Sequence, residues 1–326
     1  MRTVLYGLGA LGLLLLSALF CLLPRAWAHD LGRRLGHLAY LLSARSRRTA
    51  LENLRLRLGL EGEAARRVAL ASMRQAGAAI VDLLRAPRTT DRLIARDVGI
   101  GPETRALLDE LRGSPKGAVI AMSHSGSWEF LFLAGPFLAG GHPSLVVVRA
   151  PPYPFVPRVL RWLRSRTGQT VIFRRGAVAR ALEFVRAGGF AWLPIDVNVP
   201  PKSALRVGFL GLPTCTTFAP AHIARTTGVP LLFGCFLPAG GCRYRLVLER
   251  IEAPPGAEEA EAVHAMTERT SRLLEARIRD CPEGWGWWIK RWNVRPADVS
   301  EGWPSYSKDE RRYLPDGKVR PDPEVM

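Results

Sequence analysis

From about residue 103 onward, short apolar runs alternate with stretches whose apolar positions recur every three or four residues. These are the periods of strand and helix. Glu103 to Arg112 reads as a helix, Ala118 to Ser123 as a strand, and Trp128 to Ala139 as a helix with a kink at Pro136. Leu145 to Val148 and Thr170 to Phe173 read as strands on either side of a helix from Val156 to Arg166. The helix Ala177 to Arg186 leads to the strand Phe190 to Ile195. After a long loop come the helix Phe218 to Thr227, the strands Pro230 to Leu237 and Tyr244 to Leu248, and a long helix from Glu258 to Asp280. This alternation predicts an α/β chain, a sandwich around a largely buried, central mixed sheet.

The first hundred residues follow the helical period alone. Leu51-Glu52-Asn53-Leu54 and Glu61 to Arg85 read as helices, the second with Ala65, Val68, Ala69, Met73, Ala76, Ile80 and Leu84 near helical spacing. Leu31 to Leu42 is apolar with basic punctuation, which suits a helix on a membrane surface or one packed on the body. Val4 to Leu23 is 20 residues without a charge, long enough as a helix for about 30 Å, one bilayer core. Ala26-Trp27-Ala28 resembles a signal-peptidase site. The apolar run exceeds a signal peptide's core, however, and Pro24-Arg25 interrupts it, so an uncleaved N-terminal membrane-anchor helix is the expectation. The organisation expected is an anchor over 1–24, a membrane-proximal helical segment over 25–100, a catalytic α/β domain over 101–297, and a tail over 298–326 that is poorly ordered or draped on the surface.

Charge and cysteine usage add a partner class and a compartment. The net charge is +17, and only five of the 46 basic residues are Lys. Guanidinium is the group for bidentate contacts to phosphate and carboxylate, so an anionic partner is expected: nucleic acid, anionic membrane, or an acidic or phosphorylated ligand. Arg25, Arg33, Arg34, Arg45, Arg47 and Arg48 follow the apolar run and only Arg2 precedes it. The positive-inside rule therefore puts the body in the cytoplasm. The five Cys have no C-x-x-C, which fits a reducing compartment, and the six His show no zinc-ligand spacing.

Candidate chemistry centres on Ser123-His124-Ser125-Gly126-Ser127-Trp128-Glu129, a polar turn between a buried strand and a buried helix. With His124 on the turn and Glu129 in the first helical turn, the carboxylate can reach back to one ring nitrogen and leave the other to take a proton. The plainer reading makes Ser127 a helix N-cap and Glu129 a residue favoured by the helix dipole. Nine Arg and one acid lie between Arg149 and Arg186; most read as a solvated basic face, while Arg149 and the Arg161, Arg164, Arg166 group sit at element ends near the turn. Asp196 ends an apolar strand, a place for ligand-facing carboxylates or for a turn residue. Val207 to Thr214 reads as an apolar turn-rich loop that borders an acyl chain or simply turns on the core. Four of the nine Trp fall between Trp285 and Trp292 beside Lys290 and Arg291, as at a membrane interface or in a buried plug with cation–π contacts.

His124-Ser-Gly-Ser-Trp-Glu129 resembles the H-x-x-x-x-[DE] motif of glycerolipid acyltransferases. Arg149-Ala-Pro, Arg164-Ser-Arg166-Thr-Gly168, Asp196, Phe209 to Thr214 and Pro282-Glu283 through Arg295-Pro296 follow in order, as in the late (lauroyl/myristoyl) acyltransferases of bacterial lipid A synthesis. Phosphatidylinositol mannoside acyltransferases are similar. The resemblance runs from the N-terminal anchor to about residue 297. It implies a glycerolipid-acyltransferase-like α/β fold and an O-acyltransferase on the cytoplasmic side of the bacterial inner membrane, held by a single-pass anchor. His124 would be general base and Glu129 would fix its tautomer, with Arg164 and Asp196 in the site and Arg149 on a phosphate. Helix-start amides after Gly126 would steady the oxyanion. No metal or cofactor is implied beyond acyl carrier protein (ACP) or coenzyme A (CoA) as acyl donor.

Val197-Asn198 and Ile289-Lys290 depart from the residues common in that family. The acceptor is accordingly left open among a lipid A precursor, a lysophospholipid and a glycosylated phospholipid. A serine hydrolase using Ser125 or Ser127 lacks its G-x-S-x-G elbow. A membrane-tethered basic binding module would need no His124, and no nucleic-acid motif accompanies the arginines.

Overall fold

The computed structural model describes residues 2–151, 153, 155–297, 299 and 301–313. The chain begins with four helices, α1 (Arg2–Leu22), α2 (Arg25–Leu42), α3 (Ala44–Leu58) and α4 (Gly62–Leu84), then α5 (Asp91–Asp97). Strand β1 (Val98–Ile100) and helix α6 (Pro102–Gly113) lead to β2 (Ala118–Met122), α7 (Trp128–Ala139), β3 (Ser144–Val148), α8 (Val156–Arg164), β4 (Thr170–Phe173), α9 (Ala177–Arg186) and β5 (Phe190–Pro194). A hairpin of β6 (Leu205–Phe209) and β7 (Leu212–Thr216) is followed by α10 (Ala219–Thr227), β8 (Leu231–Pro238), β9 (Tyr244–Ile251) and α11 (Glu259–Asp280). Two short strands, β10 (Val294–Arg295) and β11 (Lys308–Asp309), close the described chain.

The main sheet has seven strands in the order β1-β9-β8-β2-β5-β3-β4. Every neighbouring pair is parallel except β8 with β9, so the expected mixed sheet is present. Alternate residues of its strands enter two cores. Val119, Ala121, Ala191, Leu193 and Phe233 pack toward α9, α10 and α11, while Ile120, Met122, Trp192 and Leu232 pack toward α6 and α7. The Val207 to Thr214 stretch is a hairpin turning at Leu210-Gly211, both with positive φ, and its Phe209 and Leu210 are buried. It is a turn on the core.

Trp285, Trp287 and Trp292 are buried, which makes the tryptophan cluster a plug. Buried Arg291 lies 5.2 Å from the Phe209 ring centroid and donates to the Cys215 carbonyl and the Thr216 hydroxyl. The described part of the expected tail packs on the body. Trp303 is buried, and Tyr306 Oη donates to Asn53 Oδ1 at 2.8 Å. Residues 314–326 lie outside the described residues.

Among the described residues, no helix is long and apolar enough to cross a membrane. Helix α1 is docked by one face: Ala10, Ser17 and Phe20 are buried, and Ser17 Oγ donates to the Leu84 carbonyl at 2.6 Å. Its other face, with Leu8, Leu11, Leu15, Leu19 and Leu22, is exposed. So are Trp27, Leu35, Leu38, Leu41 and Leu42 of α2. The side of α2 that carries Ala28, Gly32 and Gly36 rests on the body through a contact so close that only glycine fits. A Cβ on Gly36 would lie 2.2 Å from the Met73 carbonyl oxygen, and one on Gly77 would lie 2.0 Å from that of Gly32.

Overpacking at such a contact costs about 1–3 kcal/mol or more, which exceeds the ~1 kcal/mol that alanine returns in helix propensity. Gly36→Ala and Gly77→Ala should each lower the urea midpoint. Gly113→Ala at the end of α6, where a Cβ meets nothing within 4 Å, should leave it unchanged or raise it.

Candidate active site

Strand pairing sets the site. Ala118 pairs with Phe190 and Met122 with Pro194, and the Ile195 amide continues the ladder to the Met122 carbonyl at 2.9 Å. Two residues beyond each strand end, the same register brings His124 level with Asp196 across the carboxyl edge of the sheet, where α/β proteins place ligands. Asp196 is fully buried. Its Oδ1 accepts from His124 Nδ1 at 2.7 Å. Its Oδ2 accepts from the His124 backbone amide at 2.7 Å and from Trp285 Nε1 at 2.9 Å. With Nδ1 donating to Asp196, Nε2 is the nitrogen left to accept a proton.

Glu129 does not reach His124 as the spacing suggested. Both of its oxygens are taken by Arg164, the last residue of α8, in a bidentate pair (Nε–Oε2 2.8 Å, Nη2–Oε1 2.6 Å). The physical reason is burial: the Glu129 side chain is 3% exposed, and a buried carboxylate needs a cation beside it. The ring's own carboxylate comes instead from the neighbouring strand. The turn's amides are also partly committed. Gly126 N–H donates to the Gly284 carbonyl at 2.8 Å, and Phe130 N–H to the N-cap hydroxyl of Ser127 at 3.2 Å. Gly126 has φ 58°, and a Cβ there would sit 2.4 Å from the Phe236 carbonyl oxygen. Neither serine is set up as a nucleophile: Ser125 Oγ pairs with Ser123 Oγ, and Ser127 Oγ donates to Asp82 Oδ2 at 2.8 Å.

A pocket of about 550 Å³ opens over this edge. His124, Glu129, Arg149 and Arg164 line it, and Asp196 lies beneath. Its walls are largely apolar (Trp128, Phe132, Val148, Leu193, Val199, Phe218), with Arg174 and Lys202 adding to the cations and His222 also on the lining. Trp128 leans on the His124 ring at 5.4 Å between centroids. Burial and the charge of Arg149 lower the Arg174 pKa. Neither arginine is paired with a carboxylate among the described residues. Sequence reading missed Arg174 and Lys202, which lie inside the arginine-rich stretch and the long loop and carry no local signal.

Burial alone would lower the His124 pKa. The Asp196 charge and hydrogen bond, with a smaller push from Glu129, outweigh that and raise it above 6.5 against the pull of Arg164. Asp196 is held below the usual carboxylate range: burial pushes it up, but the His124 charge, the His124 hydrogen bonds and the Trp285 hydrogen bond outweigh it.

A second buried network supports the turn from below. Asp82 of α4 accepts from Ser127 Oγ and, at 3.1 Å, from Tyr244 Oη, and it pairs with His29 Nε2 at 2.8 Å and Arg25 Nη2 at 3.0 Å. Burial opposes a charge on His29, but Asp82 more than offsets it and carries the pKa to about 9. The signal available for this network was a lone acid on the apolar stripe of α4.

Fold and site together define an α/β protein with a base-bearing pocket at the carboxyl ends of its parallel strands. Residues 1–294 match the model of the bacterial lipid A biosynthesis acyltransferase family, and the chain belongs to that family. Its activity is accordingly acyl transfer in lipid A biosynthesis. Among curated proteins compared with it, none matches.

Two titrations follow. By NMR the His124 ring should titrate above pH 6.5 in the wild type and at a lower pH in Asp196→Asn, which removes the charge that raises it. The His29–Asp82 pair should contribute its full stability below pH 6.5, the value His29 has when unfolded, and lose it as pH rises through about 9. Denaturation midpoints across that window should fall in the wild type and fall less in His29→Asn.

Proposed function

We propose that the chain is a membrane-anchored O-acyltransferase. It would move a fatty acyl group from a thioester of ACP or CoA to a hydroxyl of a lipid or glycolipid acceptor such as a lipid A precursor. The observation that carries this reading is the His124–Asp196 pair at the floor of an apolar pocket, beside the Glu129–Arg164 pair.

His124 Nε2 takes the proton of the acceptor hydroxyl while Asp196 fixes the tautomer and stabilises the imidazolium that forms. The hydroxyl oxygen bonds to the thioester carbonyl carbon, and the carbonyl oxygen takes up charge. Arg164 lines the pocket, and its Nη1 has no protein hydrogen-bond partner among the described residues, which suits it to that oxyanion. Collapse breaks the C–S bond, and the imidazolium proton goes to the leaving thiolate. Glu129 acts through Arg164, which it aims and holds. Arg149 and Arg174 suit a phosphate of acceptor or donor, and the apolar walls suit the acyl chain. Within the same reading, a lysophospholipid or phosphoglycolipid acceptor uses the same groups.

The exposed leucines of α1 and the exposed face of α2 support residence at the cytoplasmic face of the inner membrane, with these two apolar faces as the membrane-holding surface. An acidic carrier protein would suit the basic surface.

The test is lipid mass spectrometry on membranes of cells fed a labelled fatty acid and expressing the wild type or His124→Ala. A labelled lipid made by the wild type and reduced at least ~10²-fold in the mutant is expected, that being the usual range for a general base. Equal labelling by a folded, membrane-bound His124→Ala would overturn the proposal. In purified form, kcat/KM should rise with pH through a midpoint above 6.5, since the base must be neutral. Asp196→Asn should move that midpoint down and lower the plateau.

A further inference from the structure

Helix α1 carries the long uncharged run over residues 4–23, yet it is fixed side-on to the body. Ala10 shares a core cluster with Leu83 of α4 and with Val159 and Leu163 of α8, and Phe20 shares another with Val81 and Leu84 of α4. These two contacts stand about 15 Å apart along the helix axis. Arg85 then holds the end of α1, donating to the Phe20 carbonyl and, at 2.6 Å, to the Leu23 carbonyl. The docked stretch, residues 10–20, is the middle of the run. A crossing helix would hold that stretch at the bilayer centre and draw the body in after it. Exposed Arg88 and Arg158 stand next to the docked Ala86 and Val159, and a guanidinium is costly at that depth. Ahead of Ala10 only six residues of the run remain, about 9 Å of helix against about 30 Å of hydrocarbon.

The outer faces of the two helices are apolar along their length. Leu8, Leu11, Leu15, Leu19 and Leu22 form a stripe on α1 at spacings of three and four residues. Leu31, Leu35, Leu38 and Leu42 form another on α2, and Trp27 is exposed near the joint between the helices. The fringe is cationic. Arg34, Arg45 and Arg48 are exposed, and Asp30 is the only acid over residues 25–51. A second copy of the chain would bring like charge against like. An anionic lipid surface answers the leucines and the arginines together.

We propose that the chain is monotopic: α1 and α2 lie in the plane of the membrane, sunk by their leucine stripes into one anionic leaflet, and α1 does not cross to the other. This rests on the inner-membrane residence proposed above and replaces a spanning anchor with a surface made by both helices. The arginines of the fringe meet lipid phosphates. The start of α1 stays on the same side of the membrane as the catalytic body.

The test uses the full chain in bacterial cells with an epitope tag at its N-terminus. Proteinase K added to spheroplasts should leave the tag intact, and added to inverted membrane vesicles it should remove the tag. Loss of the tag in spheroplasts would reveal a crossing helix and overturn the proposal while leaving membrane residence standing. A second arm replaces three exposed leucines of α2 together, Leu31→Ser, Leu35→Ser and Leu38→Ser, which spares the docked face. After a high-salt wash the wild type should stay in the membrane pellet. The supernatant-to-pellet ratio of the triple variant should rise at least ~10²-fold, since three leucines no longer gain from burial in lipid. An unchanged ratio would overturn the proposal, because a crossing helix holds a chain by itself. A wild type in the supernatant would overturn the inner-membrane residence too, and a dimer there that the triple variant dissociates would give the face to a second copy. Acyl transfer itself is decided separately, by the His124→Ala labelling.

Discussion

The pairing of β2 with β5 is the constraint on which the site depends. A parallel ladder fixes which residue lies opposite which, and the offset that puts Ala118 beside Phe190 also puts His124 beside Asp196. A slip of one residue would turn every side chain of a strand to the other face. Here that would exchange Val119 and Ala121 with Ile120 and Met122 between two different cores. Packing on both faces of the sheet therefore guards the register, and the register brings a buried carboxylate against an imidazole, where the His124 amide and Trp285 Nε1 hold it.

The turn that carries His124 is anchored by elements distant in the chain. Asp82 reaches it from α4 through Ser127, Arg164 from α8 through Glu129, and the Gly284 carbonyl and Trp285 from the segment after α11. Each is a hydrogen bond to a group already buried, so losing one leaves a polar atom unsatisfied as well as mobile. Charge is distributed in the same economical way. Glu129 neutralises Arg164 in the wall, Asp196 supports the ring that would receive a proton, and Arg149 and Arg174 face the pocket without a carboxylate partner among the described residues.

Much of this was legible in the residues and some was not. The strand–turn–helix around His124 was legible because its apolar runs are short and sharply bounded and because Ser127 is a plain N-cap. The α/β class followed from the alternation of periods. Spacing named Glu129 as the ring's partner because local sequence shows only what is near in the chain. The true partner of the ring nitrogen comes from a strand 72 residues on. Asp196 was nonetheless visible as a carboxylate at a strand end, and two predicted strands beginning at Ala118 and Phe190 already imply the offset that joins it to His124. The glycine contact between α2 and α4 showed in the sequence only as Gly32 and Gly36 four residues apart on one helix face, a spacing that does not name the helix it meets. Trp285 was visible only as one of a cluster.

The hydrogen bond from Trp285 to Asp196 ties the site to the order in which the chain is made. Synthesis delivers residues from the N-terminus, and folding begins before it ends. The His124 turn, its strand and Asp196 all emerge from the ribosome well before the tryptophan plug that closes beneath them. Until that plug arrives, Gly126 N–H and Asp196 Oδ2 lack two of their partners and the hairpin's Phe209 lacks its aromatic neighbours. The site is thus completed by a segment near the end of the described chain, and a nascent or truncated chain lacking it would carry His124 and Asp196 without the contacts that hold them.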